Sequence, residues 1–209
     1  MKKIVLLLGL LFAMQTAMIA QLTDQEVVVF NAHLLSTFNL NVDGVDQEIT
    51  FANATQYNTG VTEGAGIAPG FTLISVEATG NWWLSINAPD FIPYAGPNGA
   101  GTGSIPINNL GVWCESTGTH VFGTEVICSY QNAGAALGLS NSPAVPELIG
   151  NGTGNAGDIS DNSFTLHWLM GTMQGSMETE SMFNQLALGT LFSPGDYTTT
   201  ATLTLTQIP

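Results

Sequence analysis

An all-β domain is the fold this chain predicts: a single immunoglobulin-like or pilin-like β-sandwich with long Gly/Asn-rich loops. Three observations predict it. Near the C-terminus, Thr199, Ala201, Leu203 and Leu205 alternate with Thr200, Thr202, Thr204 and Thr206, the period of two that gives a strand one buried face. The chain is 44% hydrophobic, only 9% charged and holds 24 glycines, a mixture that favours strands joined by turns over helices. Short alternating stretches also recur along its length between turn signals. No strand buries its apolar face alone, so these stretches must supply one another with partners.

The first twenty residues stand apart. Met1-Lys2-Lys3, an apolar run from Ile4 to Ala13 and a small-residue exit at Ala20 read as a signal peptide, residues 1–20, with Gln21 first in the mature chain. The apolar run is shorter than a bilayer-spanning helix needs, so no membrane insertion is expected after cleavage. No cysteine near the cut offers a lipid anchor. Lys2 and Lys3 are the only basic residues other than histidine, so residues 21–209 carry all 16 acidic residues and neither lysine nor arginine. That composition removes cationic clamps on phosphate and makes nucleic acid a poor partner. It also removes lysine Schiff bases and any ion pair to lysine or arginine. A secreted, extracellular or cell-surface location fits it.

Taken in order, residues 25–30 (Q-E-V-V-V-F) form an apolar β-branched run, and Phe38, Leu40 and Val42 alternate with Asn39 and Asn41. A turn at Asp43-Gly44 leads to a short strand over 47–52, and 58–70 is rich enough in glycine to be loop. Phe71 to Ala78 has apolar residues on both faces, as a central strand does. In Trp82 to Ile86, Trp82, Leu84 and Ile86 share the core face and Trp83 the other. A long loop over 89–103 precedes a hairpin from Gly111 to Tyr130 with its tip at 117–119. Residues 132–157 are loop apart from a strand at 145–149. Ser163 to Leu169 alternates, 171–180 is a methionine-rich turn, and 181–188 fits helix or strand equally. Pro194-Gly195-Asp196 then turns the chain into its closing strand.

Several residue sets bear on function. Cys114 and Cys128, in an exported chain, are expected to form a disulfide. Asn151, Asn155, Asp158 and Asp161 make an oxygen-rich loop that could take calcium, although the spacing matches no EF-hand. No other cofactor is expected. Trp83, Phe91 and Tyr94 are candidates for stacking on a glycan. His33, His120 and His167 are far apart and form no zinc or triad pattern, and His120 and His167 read as surface residues. The methionines after His167 read as apolar filling rather than copper ligands. Glu178 and Glu180 give no glycosidase pair that can be placed across a cleft. No enzyme activity is predicted.

Three motifs carry a resemblance: F-A-N-A-T-Q-Y-N-T-G from Phe51, G-F-T-L-I-S-V-E-A-T-G-N-W-W-L-S-I-N-A from Gly70, and P-G-D-Y-T-T-T-A-T-L-T-L-T from Pro194. With the signal peptide, they resemble secreted β-sandwich surface proteins of Bacteroidota, distantly similar to spore-coat-U-like and pilin-like structural domains. The resemblance implies a structural subunit of a surface filament or fimbria-like assembly, with copies of itself as partners. It nominates Val27, Val28, Val29 and Phe30, within residues 21–31, as a strand lent to a neighbouring copy. The alternative is a carbohydrate-binding or adhesive module that uses its aromatics on glycans or other surface proteins. The composition makes a direct prediction: the exported protein begins at Gln21 by N-terminal sequencing, and trypsin leaves it uncut even when unfolded. A tryptic fragment would show that the basic segment is retained.

Overall fold

The computed structural model describes residues 37–44, 46–62, 67–68, 70–142, 147–151, 154–189 and 191–208. These belong to a unit spanning Ser36–Pro209. The assembly segment Val27–Phe30 lies outside the described residues.

The fold is all-β apart from short helical turns, and each strand pairing is antiparallel. The strands are β1 (Phe38–Asp43), β2 (Glu48–Ile49), β3 (Val61–Thr62), β4 (Ile67–Ala68), β5 (Phe71–Ala78), β6 (Trp82–Asn87), β7 (Ile92–Pro93), β8 (Leu110–Ser116), β9 (Val126–Ile127), β10 (Leu137–Gly138), β11 (Glu147–Asn151), β12 (Ser163–Met170), β13 (Tyr197–Thr198) and β14 (Thr202–Gln207). The first sheet runs β1-β5-β12-β8-β10, with β3 also on β12. The second runs β14-β6-β11-β9, and β13-β7 and β2-β4 form two-stranded ribbons.

The two large sheets share one core. From the first come Ile74, Val76, Val112, Phe164 and Leu166, and from the second Trp82, Leu84, Ile86 and Leu148, all at most 2% exposed. Trp82 meets Phe164 edge-on at 5.9 Å between ring centroids, which ties one layer to the other. The expected face of β6 is the buried one: Trp82, Leu84 and Ile86 point inward and Trp83 is half-buried outside. On β5, Thr72, Ile74, Val76 and Ala78 are buried while Phe71 and Leu73 stay 42% and 44% exposed.

Four expectations change. First, the cysteines form no disulfide. Cys114 and Cys128 are both free and buried, 4.2 Å apart, whereas an S–S bond needs about 2 Å. The expected hairpin does not form either. β8 pairs with β12 and β10, while β9 joins the second sheet. The two thiols therefore act as small core fillers. The adjacent Cys128 thiol, together with burial, holds the Cys114 thiol well above the ordinary thiol value. Second, His167 is buried rather than superficial. It stacks on its cross-strand neighbour Trp113 at 3.8 Å and lies 3.3 Å from a Glu115 carboxylate oxygen.

Third, two short helices form, the first reaching from the end of the expected strand over 47–52 into the expected loop over 58–70, the second over 181–188, where the sequence fits helix or strand equally. Helix α1 (Ala54–Thr59) is capped by Asn53, whose Oδ1 accepts from Gln56 N, and is stopped by Gly60 at φ 77°. Helix α2 (Met182–Ala187) settles the ambiguity over 181–188. Ser181 caps it, and the buried Gln185 exchanges amide hydrogen bonds of 2.8 and 3.2 Å with Asn109. Fourth, the closing strand is broken at 199–201. β13 pairs with β7, and β14 pairs with β6.

The methionine-rich turn packs on the first sheet because two glycines face each other there. A Cβ on Gly111 would sit 2.5 Å from the Met177 sulfur, and one on its partner Gly138 would sit 2.6 Å from Ser176 O. Asn108 anchors the same turn by donating to a Glu178 carboxylate oxygen at 3.0 Å.

Two stability tests follow from these contacts. Asn155 Oδ1 accepts from Trp82 N at 3.0 Å, and its Nδ2 donates to Trp82 O at 2.7 Å, inside the core. Asn155→Ala strands two buried backbone groups, and a loss of about 2–4 kcal/mol in chemical denaturation is expected. The bond from Asn108, with smaller backbone and Thr179 contributions, holds the Glu178 carboxyl below the usual carboxylate range. Its stabilisation is therefore complete above the ordinary carboxylate value and is lost as pH falls through the lower folded value. The denaturation midpoint of Glu178→Gln should lack that part of the acid dependence.

Candidate functional site

The two large sheets end on the same side with strands that have no further partner among the described residues, β1 on one and β14 on the other. Their inward residues are less covered than those of the central strands. Leu40 and Val42 of β1 and Leu203 and Leu205 of β14 are half-buried, while Val76, Leu84, Val112 and Leu166 are fully buried. Between these edges lies a cleft of about 700 Å3 that reaches core residues of both sheets, with Val42, Thr72 and Trp168 on one wall and Ile86, Ala201 and Leu203 on the other.

The break at 199–201 shapes this opening. Thr199 turns aside and donates to Pro89 O at 2.7 Å. Tyr197 is held by its hydroxyl, which lies 2.8 Å from Thr102 O and 2.7 Å from Ser193 O. The polar groups in the floor are satisfied internally. Thr72 Oγ1 accepts from Trp168 Nε1 at 3.0 Å and donates to Gly44 O at 2.8 Å. Gln47 bridges the same turn, donating to Gly44 O and accepting from Gly70 N. What remains for an occupant is carbon surface and two strand edges unpaired among the described residues, which is the surface that strand addition uses.

The cleft continues. A second space of about 760 Å3 shares Ile49, Phe91 and Tyr197 with the first and adds Tyr57, Tyr94 and Asp196. A third of about 740 Å3 shares Tyr57, Leu186 and Phe192 with the second and is bordered by α1 and α2. The result is a trough along one side of the domain, acidic at its rim through Asp46, Glu48 and Asp196.

The trough brings together only part of what the sequence nominated. Phe91 and Tyr94 both line it. Trp83 does not: it sits on the outer face of β6, opposite Thr206. The oxygen-rich loop is engaged in protein contacts. Asn155 is locked to Trp82, Asp158 Oδ1 accepts from Ser160 N and Oγ, and Asp161 accepts from the Thr119 hydroxyl. Asn151 ends β11. Among the described residues, no group of three or more His, Cys, Asp or Glu side chains is placed to hold a metal. Sequence reasoning missed Trp168, Thr72 and Val42 as trough residues, because alternation marks a face as inward without saying whether another layer covers it.

Against known proteins, the chain matches no family model and no curated sequence.

Proposed function

We propose that this chain is a structural subunit of an extracellular surface filament or fimbria-like assembly, secreted through its N-terminal signal and built from copies of itself. In this reading the domain is a pilin-like sandwich, of the kind seen in the Bacteroidota surface proteins it resembles. Each copy receives in its trough the segment Val27–Phe30 of a neighbour. The observation that carries the reading is the open side between β1 and β14, where core side chains and two strand edges lie uncovered.

The occupant is chosen by its chemistry. Residues 25–30 are an apolar β-branched run with no glycine or proline, suited to an extended strand. Six extended residues span about 20 Å, a length that fits along the edge of β14. Each buried valine or phenylalanine contributes about 1.5–3 kcal/mol. Association costs about 4–15 kcal/mol, so one or two side chains do not suffice and the main-chain ladder must contribute. Assembly should therefore fail when the whole segment is lost.

The test is light scattering with electron microscopy on the mature protein. Filaments or large regular oligomers are expected. Deleting residues 21–31 should leave monomers, and adding a synthetic peptide of those residues should raise the melting temperature of the truncated protein. A full-length mature chain that stays monomeric, below the 21.9 kDa of the precursor, overturns the proposal.

A further inference from the structure

We infer that the part of the trough around Tyr94 is a binding site for a neutral glycan, independent of the strand exchange proposed above. Its walls are unusually aromatic: Phe51, Tyr57, Phe91, Tyr94, Phe192 and Tyr197 line one space of about 760 Å3, large enough for a short oligosaccharide. Tyr94 is the most available of them, at 45% exposure. Its ring lies against Gly96, where an added Cβ would come within 2.8 Å of the ring carbons and 2.4 Å of the Asp196 carboxylate. The missing side chain lets ring and carboxylate occupy adjacent positions at the mouth.

The polar groups beside the ring are held in place. Asp196 accepts from Asn98 N at 2.7 Å and from Asn98 Nδ2 at 2.9 Å. The backbone closes the same loop, with Tyr94 N donating to Asp196 O and Asp196 N donating to Gly99 O. An aromatic ring flanked by a fixed amide and a fixed carboxylate offers what a sugar needs: a surface for its C–H face, and donors and acceptors for its hydroxyls. The charge decides the class of sugar. Glu48 and Asp196 line the space, and residues 21–209 have no lysine or arginine to pair with a carboxylate or sulfate. Uronic and sulfated glycans are repelled, and neutral ones are admitted.

The experiment is an array of neutral oligosaccharides, with uronic-acid and sulfated members as controls, probed with the mature protein and followed by calorimetry on each hit. Binding to neutral members alone is expected. Tyr94→Ala should weaken it about tenfold, Tyr94→Phe should retain most of it, and Trp83→Ala should leave it unchanged. Gly96→Ala, which displaces ring and carboxylate together, should also weaken it. Thermal melts of each variant separate lost binding from lost folding. The same assays on protein lacking residues 21–31 distinguish the two proposals, since glycan binding should survive where assembly does not. Absence of any neutral hit, equal binding of anionic members, or indifference to Tyr94→Ala in a folded variant overturns the inference.

Discussion

The two layers of this domain depend on how Trp82 is held. Its ring contacts Phe164 of the facing sheet, and its indole N–H donates to Asn155 O at 2.7 Å. Its backbone N–H and C=O are both taken by the Asn155 side chain. Trp82 opens β6 beyond the residues that pair with β11, so without Asn155 these backbone groups would be buried without partners. One asparagine amide, able to donate and accept at once, satisfies both. Asn155 is thereby fixed to the core, so one oxygen ligand of the stretch read as a cation loop is committed to packing in the fold.

The same device recurs because the chain lacks other means. With no lysine or arginine after residue 20, the carboxylates have no side-chain cations apart from histidine. Polar positions in and beside the core are served by amides, hydroxyls and an indole instead: Asn109 with Gln185, Thr72 with Trp168, Tyr197 with two carbonyls. His167 Nε2 lies 3.3 Å from a Glu115 carboxylate oxygen on the outer face of the first sheet, away from the trough. Neutral bonds of this kind lose little to salt, unlike surface ion pairs.

Much of this architecture is legible in the sequence where a single period of two governs a segment. The inward faces of β1, β6 and β12 follow directly from alternation, because in each one face dominates, whereas β5 has apolar residues on both faces and its inward side had to be shown by the fold. The helices were less legible, since α1 and α2 are too short to show a helical period. Their signals are local: Asn53 with Gly60 for the first and Ser181 for the second. The cysteine pairing misled for a different reason. A spacing of fourteen positions suits a hairpin, but pairing of strands is set by the whole sheet, and β8 found two better partners in β12 and β10. Of the candidate site, the aromatics Phe91 and Tyr94 were visible as residue types. Their meeting in one trough was not, because it depends on a break at 199–201 inside a segment whose alternation reads as unbroken.

That break has a consequence for the domain as a whole. Had β13 and β14 formed one strand along β6, Ala201 and Thr199 would have extended the second sheet toward β7. Instead the chain joins the second sheet only at Thr202, and among the described residues the two sheets stay open between β1 and β14. Exposed strand edges of this kind are a hazard, because any extended chain can pair with them, and proteins commonly protect them with charge. Here the rim carries Asp46 and Glu48 but no lysine, so non-specific acidic chains are repelled while an apolar strand of low charge is not. In the assembly proposed above Val27–Phe30 supplies such a strand, and because exchange between copies is bimolecular, its extent should rise with the protein's own concentration.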